Sequence, residues 1–292
     1  MTREVHINQR KKKVSAKRIV PPILKWIFLA VMIVFVLYPV VYTIIGSFKT
    51  NAELTQGGGF FPQEWHFENY YQAFVEADFL RYTGNSIIVS VLVTLLAMIT
   101  SSLAGFILAR KEFVGKKILM ALYMSMMFVS LGSVTLYPIY EMLRAIGLHE
   151  SIFALVIALT GGQATNVFLV MGFTKAVPKE LDEAATIDGC SLYQVFYKII
   201  LPLLKPILAV VGLFAFRTAW NDYITGLVMT ITAPELKTLT VAVVQLKYSV
   251  NAAAEWHIML AGASIAVIPI LIVYLFAHKH FIAGLTAGAV KG

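Results

Sequence analysis

The chain has one cysteine, Cys190, in 292 residues. That excludes an intramolecular disulfide and argues against a cysteine metal site. Charge is scarce as well. Asp, Glu, Lys and Arg make up 14% of the residues, where soluble domains hold about a quarter. The phosphate-binding pattern G-x-x-x-x-G-K-[ST] is absent, so the chain has no Walker A loop with which to bind ATP. It also lacks H-E-x-x-H and G-x-S-x-G, which removes the direct routes to an intramembrane protease or esterase. The six histidines are scattered, with His278 and His280 the only close pair. Neither a soluble domain of usable size nor a clear internal repeat can be found. These absences leave no catalytic residue and no metal-ligand set to name.

What is present is apolar. Hydrophobic residues reach 59%, with a mean hydropathy of +0.77. Runs of about 20 apolar residues with few charges fit membrane helices. Six such runs occur, at 23–47, 85–109, 118–142, 152–174, 207–230 and 257–278. The first is too long for a signal-peptide core and is not followed by a small-x-small cleavage site, so it reads as a retained span. Net charge is +8, and eight of the 24 Lys and Arg precede Trp26. Beside a membrane segment this cluster signals topology rather than nucleic-acid binding. With the N-terminus inside, the inner segments carry 18 basic residues and the outer ones five. The asymmetry follows the positive-inside rule and places both termini in the cytoplasm. The chain then divides into a basic N-terminus (1–25), a first span and outer loop (26–84), a main membrane region (85–278) and a cytoplasmic tail (279–292). In the outer loop, "ENYYQAFVEADFLRYTGN" suits an interfacial helix.

Between the fourth and fifth runs, inner segment 175–206 contains "DEAATIDGCSLYQVFYKIILPLLKP". Pro178 suits a first helical turn, and Glu180, Asp182 and Glu183 favour the positive end of a helix. Ala184 and Ala185 are strong helix formers, and Gly189 can take the left-handed conformation that ends a helix. Ser191 caps the next helix, whose Leu192, Val195, Phe196, Ile199 and Ile200 share one face. The expected product is a short helix, a sharp turn and an amphipathic helix at the inner surface. On the residues alone, an ordinary loop folded against its own bundle fits equally well.

This stretch resembles the EAA loop of ABC-importer permeases: E-A-A, three residues, Gly, then a hydrophobic stretch closing on Pro. Those positions are Glu183, Ala184, Ala185, Gly189 and Pro202, with Asp188 before the glycine; Cys190 stands where the family most often has Ala. "ENYYQAF" (68–74), "NSIIVSVLVTLLAMITSSLAGFILAR" (85–110), "WNDY" (220–223) and "GLTAGAVKG" (284–292) extend the resemblance along most of the chain. They point to the carbohydrate-uptake permeases of maltose type, and to the six-span partner of that subunit pair. The resemblance implies an all-α polytopic protein of the type I importer fold in a bacterial inner membrane. It implies a second, homologous permease, a cytoplasmic ATPase dimer that uses ATP and Mg²⁺, and an extracytoplasmic sugar-binding protein. This chain would bind no cofactor.

On that resemblance, residues 180–189 couple to the ATPase, with Glu180, Glu183, Ala184, Ala185, Asp188 and Gly189 at the contact. Leu285, Thr286 and Gly288 of the tail make a second contact, the alternative being a frayed end. In the fifth run, "FAFRTAWNDYITG" holds ionisable residues at membrane depth, where function is the default expectation. Arg217, Trp220, Asn221, Asp222 and Tyr223 are therefore candidates for a sugar pathway. The alternative has Arg217 and Asp222 holding helices or subunits together with Trp220 packed between them. A self-sufficient ion-driven transporter is disfavoured, since Arg217, Asp222 and Glu141 are the chief intramembrane ionisable groups.

Overall fold

The computed structural model describes residues 22–128, 132–248 and 254–289, with side chains over 24–128, 132–248 and 254–275. Among them no strand occurs. The chain separates into two units, residues 1–42 and 43–292. The basic residues of 1–21 lie outside the described residues. The first unit is seen as most of helix α1 (Pro22–Gly46), which is apolar on every side and exposed along Leu24–Tyr42, Pro39 included in its run. A helix of that kind has lipid as its natural surroundings.

In the second unit a short capped helix, α2 (Asn51–Thr55), follows the end of α1. Thr50 and Glu53 form a reciprocal capping box, and the free Oε1 of Glu53 accepts the Gln63 amide at 2.8 Å, closing the triple-glycine stretch into a hairpin. The expected interfacial helix is in fact two pieces. Helix α3 (Glu68–Glu76) ends at a turn in which Asp78 takes a left-handed φ of 43°, and the remaining residues open α4 (Phe79–Arg110). Asp tolerates that conformation better than most residues, so the break costs little. The side-chain amide of Asn69, itself buried, donates to the Ser47 and Lys49 carbonyls. Asn51 bonds both Ala254 and Trp256, which ties this cap to the last helix.

Helix α4 is the centre of the unit. It contains no proline over 32 residues. Its buried Val89, Val93, Ala97 and Phe106 face neighbours, and Ser101 and Ser102 return their hydroxyls to helix carbonyls. Such internal bonding is what an apolar environment demands of hydroxyl groups. Gly105 lets α8 (Ala164–Ala176) approach so closely that a Cβ there would lie 2.7 Å from Val170 Cγ1. Small residues at such contacts are a hallmark of membrane-helix packing.

The apolar runs are more broken than their sequence suggests. Run 118–142 divides into α5 (Lys116–Phe128) and α6 (Leu136–Ala145), with a 3₁₀ turn at Gly132–Thr135, where Gly132 has φ +55°. Run 152–174 is α7 (Ile152–Thr160) and α8, bent by 55°. The expected helix 207–230 breaks after α12 (Lys205–Trp220), and α13 (Ile224–Met229) starts anew with the Asp222 carboxylate accepting the Gly226 amide of its first turn. A 3₁₀ turn at Pro234–Leu236 leads to α14 (Leu239–Gln245). Finally α15 (Trp256–Ala289) continues well past the expected end of the sixth span at 278, so most of the expected tail has a helical backbone. Among the described residues three helices are long and apolar enough to cross a membrane, or up to five if each bent pair is one span.

Candidate functional site

The segment between α8 and α12 forms the elbow. Val177 caps α8, and α9 (Glu180–Ile187) begins at once with Glu180, Asp182 and Glu183 in its first turn. Its end is a Schellman turn: the Cys190 amide reaches the Ala185 carbonyl at 2.9 Å and the Gly189 amide reaches Thr186 at 3.0 Å. Gly189 has φ +83°, a conformation a side chain resists. Ser191 and Gln194 then form a second capping box. The following helix runs Leu192–Leu203 through a π-helical stretch, Val195–Ile200, and meets α12 at a bend of 78°.

The amphipathic face is narrower than its spacing suggests. Val195, Phe196 and Ile200 are buried, Ile199 is half-buried and Leu192 is exposed. The Phe196 ring sits 5.2 Å from that of Phe106 on α4. On α9, Ala185 packs inward, whereas Glu180, Glu183, Ala184, Asp188 and Gly189 are exposed together. Leu181 and Ile187 are exposed too, Ile187 at 86%, giving this acidic face apolar knobs that charge patterning did not reveal.

One residue that contacts the elbow from another helix carries no sequence signal for it. Arg110, at the last turn of α4, has a side chain 5% exposed; its Nε lies 2.6 Å from the Asp182 carboxylate and an Nη donates to the Val177 carbonyl at 2.9 Å. A single guanidinium thus joins the ends of α4 and α8 and the start of α9. Beside it a cavity of about 290 Å³ is lined by Phe106, Lys179, Asp182, Cys190 and Val195 among others. In the adjoining loop, the Lys116 ammonium holds the Glu112 carboxyl below its usual range.

The second candidate group lies at the opposite end of α12. Arg217 and Asn221 are exposed, and Tyr223 is half-buried. Arg217 makes no ion pair among the described residues, and the Asn221 amide donates to its carbonyl at 2.9 Å. Asp222 does not pair with it. Its Oδ1 accepts the Gly226 amide at 2.8 Å and its Oδ2 the Thr225 hydroxyl at 3.0 Å. Trp220 is 3% exposed, stacked on Phe216 at 5.7 Å, and donates to the Ala266 carbonyl. Leu285, Thr286 and Gly288 lie on the last turns of α15, where side chains are outside the described residues, as are residues 290–292 altogether. No group of three or more His, Cys, Asp and Glu placed to hold a metal ion occurs among the described residues.

The family described as "Binding-protein-dependent transport system inner membrane component" matches residues 101–286, from the middle of α4 through the elbow to the last helix. The chain belongs to that family. It is an inner-membrane permease component of an ABC importer and not the ATPase subunit. A putative ABC transporter permease from Caldicellulosiruptor sp. is 34% identical over 92% of this permease and 97% of the relative. The arabinooligosaccharides transport system permease protein AraQ of Halalkalibacterium halodurans is 31% identical over 94% and 100%. The maltodextrin transport system permease protein MdxG of Bacillus subtilis is 31% identical over 95% and 99%. In fold, the permease is similar to a chain from the crystal structure of a bacterial ABC transporter involved in import of the acidic polysaccharide alginate. That likeness has a TM-score of 0.73 at 23% identity and covers 89% of this chain and 96% of the other.

Proposed function

We propose that this permease forms half of a sugar pathway, most suited to oligosaccharides, and is driven by an ATPase dimer that docks on the elbow. The observation that carries the coupling role is α9: an exposed face of Glu180, Glu183, Ala184, Asp188 and Gly189, held from behind by a partly buried ion pair. The substrate class rests on relatives whose names specify arabinooligosaccharides and maltodextrin. A second, homologous permease completes the pathway, a binding protein delivers the sugar outside, and ATP and Mg²⁺ are held by the ATPase. The chain crosses the membrane six times, counting α5 and α6 together as one interrupted span, with both termini and the elbow in the cytoplasm. Leu285, Thr286 and Gly288 then lie on the ATPase side as a second contact.

In this reading the chain makes and breaks no bonds. It presents carboxylates to basic groups of the ATPase and passes rigid-body motion into the membrane. Arg217, Asn221 and Tyr223 are the accessible members of the sugar-pathway group. Trp220 and Asp222 support them, the first as packing and the second as a helix cap, in the conformation seen.

Gly189→Trp tests the coupling role. A Cβ at Gly189 meets nothing within 4 Å, so the effect acts through the positive φ and the new bulk at the docking face. The expected result, in the complete transporter, is loss of sugar-stimulated ATPase activity with the subunit still inserted in the membrane. Normal stimulation in this variant would refute the role.

A further inference from the structure

The elbow is covalently continuous with α8 and with α12, yet neither gives it a straight, unbroken path across the membrane. α12 departs from the elbow helix through the 78° bend, and α8 is bent by 55° from α7 after only 13 residues. Helix α4 is not continuous with the elbow. It is nevertheless held to it by Arg110, through the Asp182 carboxylate at 2.6 Å and the Val177 carbonyl at 2.9 Å, and by the Phe106–Phe196 ring contact. From there it runs to Phe79 with neither a break nor a proline.

Its far end is also clasped. The Asn85 side-chain amide donates to the Glu235 carbonyl at 2.9 Å and to the Lys237 carbonyl at 3.0 Å. One residue on, the buried Ser86 hydroxyl accepts the Leu239 amide at 2.8 Å. These bonds hold the turn and first residue of α14, which packs its Leu239, Ala242 and Val243 with Ile258 and Ala261 of α15. Arg110 and Asn85 lie about 38 Å apart at 1.5 Å per residue. A helix of that length crosses the apolar part of a bilayer, so each clasp sits at one membrane surface.

We propose that α4 is a strut by which the elbow and segment 234–239 move together, with Arg110 and Asn85 as positioning residues at its two ends. The inference rests on the elbow being the ATPase contact. It assigns the route by which events at the far surface reach the ATPase: through a packed, unbroken helix outside the elbow's own covalent path. Two sites on one rigid element bias one equilibrium, so losing either clasp disconnects the same link.

The test uses the complete transporter in lipid nanodiscs: both permeases, the ATPase dimer and the sugar-loaded binding protein. The readout is the ratio of binding-protein-stimulated to basal ATPase activity. Asn85→Ala removes a neutral clasp remote from the ATPase, and Asp182→Asn removes the charge of the other clasp without changing its shape. Each is expected to lower the ratio about fivefold or more, and the double variant should fall no further than the more impaired single variant. An unchanged ratio in both assembled single variants, or reductions that multiply in the double variant, would overturn the strut. Gly189→Trp separates the two ideas. If it abolishes stimulation while Asn85→Ala and Asp182→Asn preserve it, only the strut fails; if it preserves stimulation, the coupling role itself fails.

Discussion

Asp222 shows how a carboxylate can carry a structural task that its neighbours in sequence do not announce. It follows Arg217 by five residues in one apolar run, but the chain leaves the helix at Asn221, and the carboxylate accepts the Gly226 amide in the first turn of α13. A charge-assisted bond to an amide satisfies a donor that α13 cannot satisfy itself. Asp222→Ala should therefore destabilise the protein by about 1 kcal/mol. Asp222→Asn, which retains an oxygen for Gly226, should cost less. Thermal unfolding of the two variants in one detergent checks the order; equal midpoints would remove the cap from the account. Arg110 is the reverse case. As one basic residue among several after an apolar run, it is legible only as a topology signal, and its ion pair with Asp182 depends on two helix ends meeting in space. The turn at Gly189, by contrast, was readable, because a left-handed helix end leaves a local signature in the chain.

Elements were legible where one physical cause decides them. Apolar length locates α1, α4 and α15, and a serine cap with a glycine stop locates the two parts of the elbow. Breaks within apolar runs were not legible, because Gly132 and Asp222 act over one turn whereas a span is judged over about 20 residues. The outer hairpin supplies a test at this scale. The amide of Gln63, then that of Thr50, holds the Glu53 carboxyl below its usual value of 4.5. A depressed folded pKa stabilises the folded hairpin above the unfolded value, and that contribution is lost as pH falls through the folded value. Protection of the Gln63 amide, normalised to its intrinsic exchange rate, should thus decline below pH 4.5. In Glu53→Gln the decline should be absent. A profile identical in both proteins would contradict the assignment. Packing at Gly105 gives a second test. Gly105→Leu forces bulk against Val170 and should destabilise by about 1–3 kcal/mol, with α8 shifted away from α4; an unchanged melting temperature would mean the close approach is not needed.

At the scale of the whole molecule, the described helices leave broad apolar surfaces exposed, including nearly all of α1 and much of α4. Lipid and a second permease are the surroundings such surfaces fit. Among the described residues Arg217 and Asp222, the charged groups of the fifth apolar run, are not paired with each other as an ion-coupled carrier would use them. The elbow exposes a charged face of Glu180, Glu183 and Asp188 away from the helices it packs on. Both facts favour energy supplied by another polypeptide. Reconstitution measures this directly: uptake of a labelled oligosaccharide into proteoliposomes holding the permease pair, with ATPase subunits and ATP inside and the binding protein outside. Uptake is predicted to require all three additions and to vanish with Gly189→Trp. Uptake by this chain alone, driven by a proton or sodium gradient without ATP, would contradict the account.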